Sequence, residues 1–146
     1  MNNMVELYDL TKDFASRHRM VESFGVLGSE EELDSLDFDF RTFQLIVSSS
    51  NISRELNNPT YTIDFAIIVM DKVDPEDDRA VVLSSEENVF VIAQFQDYLQ
   101  QQDEDSEFGN IDLINNENED YAITAAYTEF SVTFSRKQYT VNTDLG

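Results

Sequence analysis

The sequence predicts an α+β fold: a mostly antiparallel sheet of four or five strands with two helices packed on it. Residues 60–73 alternate as a β-strand and become apolar on both faces in their second half. Residues 3–18 and 85–101 have the apolar spacing of amphipathic helices. The connections between consecutive predicted strands are short, which favours antiparallel pairing. A chain of 146 residues fits a single domain, residues 1–146.

The N-terminal third is predicted to contain one helix, a short edge strand and a long loop. Leu7, Leu10 and Phe14 share a face of the first helix, and His18, the single histidine, stands at its C-terminal end, where the helix dipole favours a cation. Residues 20–27 follow as a short strand. The acidic loop 28–41 carries four apolar residues, which are expected to dock on a surface such as a neighbouring molecule: Leu33, Leu36, Phe38 and Phe40.

The middle of the chain is predicted to supply the best-defined strands. Residues 42–50 alternate between apolar and polar side chains, as a half-buried strand does. A protruding hairpin tip, 50–59, leads to the strand 60–73. Because that strand is apolar on both faces, it is predicted to be central, with a helix on one face and a helix or another subunit on the other.

The second helix is predicted to begin at a capping box in which Ser84 is the N-cap and Glu87 is at N3. Val89 and Phe90 widen its apolar face beyond what one sheet face requires, which indicates a second contact. Short strands at 111–114 and 128–136 follow, and a polar C-terminal tail, 137–146, ends the chain.

Composition and charge exclude several classes of function. The net charge of −21, with a pI near 4.1, disfavours direct binding to nucleic acid. The sequence lacks cysteine, which removes disulfides and thiolate sites. No stretch has the pattern of a signal peptide or a membrane helix, so a soluble protein without membrane contact is expected.

The sequence contains no motif for catalysis or cofactor binding. It has no GxSxG, HExxH or glycine-rich phosphate loop. The acidic run from Asp71 to Asp78 fails as an EF-hand, because Val73 and Pro75 occupy positions that require oxygen ligands. We therefore expect a non-enzymatic protein with no catalytic residue, no cofactor and no metal site.

Several short motifs of the segment 68–99 resemble those of a known family. A strand ends in Asp71-Lys72-Val73, an acidic loop 74–78 follows, and Val82-Leu83-Ser84 leads into a helix that finishes in Asp97-Tyr98-Leu99. Near the end of the chain, an acidic loop precedes a strand of alternating aromatic residues. In this arrangement the chain resembles neck or tail-terminator proteins of tailed bacteriophages that infect Bacteroides-type hosts (crAss-like phages).

That resemblance implies a tail-terminator-like fold and a structural role in the virion. Such proteins are assembled in the host cytoplasm and form a closed ring, expected here to have six or twelve subunits, at the capsid–tail junction through which DNA passes. Its partners would be further copies of itself and other neck, portal or tail proteins. The candidate subunit-interface residues are Leu33, Leu36, Phe38, Phe40, Ile68, Met70, Val89 and Phe90.

The acidic segments have two interpretations. In a ring they would line the lumen or its loops and repel the passing DNA; the candidate residues are Asp74, Glu76, Asp77, Asp78, Asp103, Glu104 and Asp105. Alternatively, the chain is an acidic DNA mimic that inhibits a DNA-binding protein of the host.

Overall fold

A computed structural model describes residues 1–47, 52–57, 59–117 and 120–135, without the side chains of Asp34 and Glu117. The predicted tail 137–146 and part of the predicted tip 50–59 lie outside the described residues. The elements, in chain order, are α1 (Met4–Arg17), β1 (Ser23–Leu27), a 3₁₀ helix (Glu30–Ser35), β2 (Thr42–Ile46), β3 (Ile52–Arg54), β4 (Thr60–Val73), α2 (Asp78–Gln102), β5 (Glu107–Leu113), β6 (Asn116–Glu117) and β7 (Ala122–Ser135).

The strands form one mixed sheet with the order β1-β2-β4-β7-β5, and the short strands β3 and β6 pair with β4 and β7. The β1–β2 pair is parallel and the other pairs are antiparallel. The predicted α+β class and the two helices are confirmed. Within the described residues the sheet has seven strands rather than four or five, because β3 and β6 lie in segments that were predicted to be a hairpin tip and a loop.

The sheet is centred on β4 and β7, which pair along their whole length from Thr60↔Ser135 to Val73↔Ala122. The bounds of β4 are those that the sequence predicted. β7 is longer than predicted, since it begins at Ala122 instead of 128. In the N-terminal part of β7 every second residue is buried, as in the rest of the strand. These residues are small, so they give only a weak hydrophobic pattern in the sequence: Ala122, Thr124, Ala126 and Thr128.

Both helices pack on one face of the sheet and form the main core with it. Four fully buried residues of α2 face the sheet: Val91, Ile92, Phe95 and Leu99. Phe95 makes edge-to-face contacts with Phe43 and Phe130, at centroid distances of 5.3 and 5.8 Å. Phe14 of α1 contacts the same ring at 5.4 Å, so aromatic packing joins α1, α2 and the sheet.

The opposite face of the sheet is covered by residues 28–41, the covering segment, which contain the 3₁₀ helix. A second buried cluster lies beneath it and is formed by Leu27, Phe38, Ile46, Ala66, Ile68, Met70 and Ala125. The strand predicted at 42–50 is present as β2, but it is buried on both faces rather than half-buried, because all five of its residues are buried. The second apolar face of β4 is covered by the chain's own loop.

The start of α2 differs from the predicted capping box. The helix begins at Asp78, and Asp77 is its N-cap, with Oδ1 accepting from the amide of Ala80 at 3.0 Å. Asp74 accepts from the amide of Glu76 and forms the preceding turn. Ser84 lies inside the helix and is buried. The turns between Asp78 and Ser84 are largely exposed, with Val82 67% and Leu83 47% exposed, and the buried part of α2 begins at Ser84.

Candidate functional site

A group of large apolar side chains is exposed around the middle of α2, and we call Met20, Phe40, Leu83 and Phe90 the apolar surface. Phe40 is 65% exposed and Phe90 is 53% exposed. Met20 and Phe90 line one groove. Phe40 directly precedes Arg41, and Arg41 bonds to Glu87 of α2. Leu83 and Phe90 lie on the same side of the helix as Glu87, because they are four positions before it and three positions after it.

Beside this surface, Arg41 forms the centre of a buried polar network. Its guanidinium donates from Nε to Asn88 Oδ1 at 2.8 Å and from Nη1 to Glu87 Oε2 at 2.9 Å. Nη2 donates to Asp71 Oδ2 at 3.1 Å. With the arginine only 7% exposed, these two carboxylates compensate its buried charge.

The network extends into β7 through two hydroxyl groups. Ser84 Oγ donates to Asp71 Oδ2 at 3.1 Å and lies 2.6 Å from Thr124 Oγ1. Asn88 Nδ2 donates to the same threonine oxygen at 3.0 Å. These bonds fix α2, β4, β7 and the end of the covering segment relative to one another. The arrangement supports the apolar surface and offers no activated nucleophile.

Sequence reasoning missed this network. The available signal was Arg41 itself, the one Lys or Arg between Arg19 and Arg54, placed directly before a strand in an acidic stretch. A single cation that is buried at the start of a strand requires carboxylates from other parts of the chain to compensate its charge. The partners lie 30 to 47 positions away in sequence, so spacing alone could not identify them.

A groove runs along the C-terminal end of α1, where it meets α2. It has a volume of about 640 Å³ and is lined by Arg17, His18, Arg19, Met20, Phe90 and Gln94. His18 is the C-cap of α1; its Nδ1 accepts from the amide of Met20, so Nε2 carries the hydrogen that bonds to Gln94 Oε1. The histidine therefore has an end-of-helix role.

The predicted interface residues divide into buried and exposed sets. Phe38, Ile68 and Met70 belong to the cluster beneath the covering segment, and Leu33 and Leu36 pack against it. The prediction that these five are free for a neighbouring subunit needs correction, since the loop folds back on its own sheet and occupies that surface. Val89 is half-buried against the main core. The exposed members are Phe40 and Phe90.

The predicted acidic residues lie in two separate places. Asp74, Glu76, Asp77 and Asp78 are exposed at the N-terminal end of α2. Glu104 and Asp105 are exposed beyond its C-terminal end, but Asp103 is buried and lies with Oδ2 4.0 Å from the amino group of Met1. The 25 residues of α2 separate the two groups by about 37 Å, at a rise of 1.5 Å per residue.

No cluster of three or more His, Cys, Asp or Glu side chains in the described ranges has the geometry to hold a metal ion. None of the helices in that part of the chain is long and apolar enough to cross a membrane.

Comparison with known proteins leaves the family open. No protein-family model matches the sequence, and no curated protein matches it significantly.

Proposed function

We propose that the chain is a non-enzymatic structural subunit of a bacteriophage virion, which assembles into a closed ring of six or twelve copies at the capsid–tail junction. The observation that carries this proposal is the apolar surface, which lies exposed on a chain with a net charge of −21. The sequence motifs that resemble those of neck proteins are the reason for proposing this family, and the exposed apolar surface is the reason for proposing assembly.

The apolar surface has the properties of an association site. Met20 and Phe90 line one groove, and Arg41, which follows Phe40, bonds to Glu87 in the helix turn before Phe90. Exposed apolar patches mark contacts with partners, whereas single exposed apolar residues are ordinary. Its members stand on a rigid support, because Arg41 ties Phe40 to α2 through bonds to Glu87 and Asn88. A preorganised aromatic patch loses little conformational entropy on binding, which favours assembly.

The charge distribution supports the passage of DNA through such a ring. The two exposed acidic groups stand at opposite ends of α2, about 37 Å apart. If α2 is roughly parallel to the ring axis, both mouths of the lumen carry negative charge. Phosphates then meet like charge at entry and exit, and DNA moves through without adhering.

Assembly is tested with the purified chain by native mass spectrometry and negative-stain electron microscopy. We expect closed rings for the wild type and their loss in the double variant Phe40→Asp/Phe90→Asp. The matched control is Val5→Asp/Leu56→Asp, which adds the same two charges at residues that are 66% and 86% exposed outside the apolar surface and should leave the rings intact. Mass spectrometry of washed virions should detect the chain. A protein that stays monomeric with its neck partners and is absent from virions would contradict the proposal.

The alternative function, an acidic DNA mimic, is favoured by the charge density. Duplex DNA carries one charge per 1.7 Å, so a length equal to α2 carries about 22 phosphates, close to the net charge of this chain. A mimic would capture a DNA-binding protein from a host lysate and release it at high salt. Capture of that kind by a chain that forms no rings would favour the mimic over the ring subunit.

A further inference from the structure

We propose that neighbouring copies are joined by a heterologous contact in which the groove at the end of α1 in one copy binds the acidic β5 edge of the next. This inference rests on the proposed ring function and names the surfaces that would form it. Its occupant is a second copy of this chain, and the argument for that occupant is complementarity of charge and of apolar surface.

The groove is a basic site on an acidic molecule. The chain has nine Lys and Arg residues, and two of them, Arg17 and Arg19, line this one groove beside His18. Arg17 pairs with Asp13, whereas Arg19 makes no ion pair with any described residue. The groove is also apolar on one side, where Met20 and Phe90 are 37% and 53% exposed. It therefore suits a partner with carboxylates next to aliphatic side chains.

The β5 edge of the sheet has that combination. Glu107 and Asp112 are exposed along the strand. Leu113 and Ile114, at its end, are about half exposed. From Arg79 to Arg136 the sequence has no intervening Lys or Arg, so no cation within the segment neutralises these acids.

The two surfaces lie on opposite sides of the domain. α1 packs beside β1, which forms one edge of the sheet, and β5 forms the other edge. A contact between different surfaces of identical subunits is heterologous, so an open chain of copies keeps one free groove at one end and one free β5 edge at the other until the ring closes. An isologous dimer through either surface alone would bring like charges together, which disfavours it.

A charge-swap experiment tests the contact on the full-length chain. Arg17→Glu/Arg19→Glu reverses the groove, and Glu107→Lys/Asp112→Lys reverses the β5 edge; all four residues are exposed, so the fold should survive, as checked by circular dichroism. We expect each double variant alone to associate at least about tenfold more weakly than wild type. Mixing the two, or combining all four substitutions in one chain, should restore assembly. Arg54→Glu reverses an exposed cation elsewhere and serves as the control that keeps wild-type assembly.

The outcomes separate this contact from the ring proposal itself. Rings that form normally in both double variants would overturn the contact and leave the proposed function standing. Loss of assembly in each double variant without rescue on mixing would also overturn it, since the two surfaces would then not face each other. A wild-type chain that remains monomeric in sedimentation velocity, also in the presence of its neck partners, and is absent from washed virions would overturn both the contact and the ring.

Discussion

Arg41 donates from Nη2 to Asp71 Oδ2 at 3.1 Å, and this bond joins the end of the covering segment to the central strand β4. The residues are 30 positions apart, and both also contact Ser84 of α2. The covering segment is thus anchored on one face of the sheet by Phe38 and on the helix side by Arg41. Its exposed residue Phe40 lies between these two anchors, which fixes where the apolar surface begins.

Replacement of Arg41 by methionine should strongly destabilise the protein. The substitution leaves Asp71 and Glu87 without their buried counter-charge, and breaking such a pair costs about 3–5 kcal/mol. Urea unfolding followed by circular dichroism measures the change. Arg54→Met, at an exposed position, is the matched control and should change the free energy of unfolding by less than about 0.5 kcal/mol. Equal effects of both substitutions would contradict the central role of the network.

The N-terminal end of α2 is tested by two alanine substitutions. Asp77→Ala removes the N-cap bond to the amide of Ala80 and should cost about 1 kcal/mol, as the loss of a cap does. Ser84→Ala should cost about 1–3 kcal/mol for a different reason, because it removes a hydroxyl that bonds to both Asp71 and Thr124 inside the protein.

The two mechanisms differ in where the damage appears. Hydrogen exchange of Asp77→Ala should show faster exchange in the first turn of α2 only. In Ser84→Ala the faster exchange should extend to β4 and β7, which share the network. Faster exchange confined to residues 84–88 in Ser84→Ala would show that the hydroxyl does not couple α2 to the two strands.

The elements that could be predicted from the sequence are those with a long and regular pattern of apolar residues. β4 has correct bounds because its alternation and doubly apolar half are both long, and α1 differs by one residue at each end. α2 and β7 were predicted too short because their extensions carry Ser84 and small residues such as Ala122, which are buried only through long-range polar contacts and close packing. The loop 28–41 and its four apolar residues were identified, but the surface on which they dock could not be predicted, because their spacing is irregular and the face they cover is built from distant strands.

Tyr127 should ionise at an unusually alkaline pH. Burial raises the pKa of its phenol above the ordinary value of 10.0, and the carboxylates of Glu30 and Glu129 raise it further. The hydroxyl donates to Glu30 Oε1 at 2.7 Å, and Glu129 Oε1 lies 3.2 Å away. Absorbance at 295 nm, recorded while the pH is raised, should show a tyrosine component that ionises well above pH 10, and Tyr127→Phe should remove that component.

The same shift makes stability depend on pH. Because the pKa of Tyr127 is higher in the folded than in the unfolded state, its contribution is complete below the unfolded value and is lost as the pH rises above about 10. Melting curves should therefore show that Tyr127→Phe reduces the decline in wild-type stability above pH 10. A wild type and variant that decline in parallel there would show that the phenol does not cause the effect.

Phe38 and Phe40 provide a matched pair, because they differ in burial but stand two residues apart in the same segment. Phe38 is 8% exposed within the cluster beneath the covering segment, and Lys72 Nζ lies 4.9 Å from its ring centroid. Phe38→Ala should cost about 3–5 kcal/mol of unfolding free energy, through lost burial and the cavity that remains. Phe40→Ala should change stability by less than about 0.5 kcal/mol, since that ring already lies largely in water.

The same two substitutions should affect association in the opposite way: Phe40→Ala should weaken it more than Phe38→Ala does. Phe40→Ala removes part of the apolar surface and should weaken assembly, as measured by sedimentation velocity, while its melting curve stays that of the wild type. Phe38→Ala, studied well below its melting temperature, should retain assembly as long as the covering segment stays docked. If Phe38→Ala leaves stability unchanged and instead abolishes assembly, then the segment docks on a neighbouring subunit rather than on its own sheet, and the original interface prediction for Leu33, Leu36, Phe38, Ile68 and Met70 would be restored.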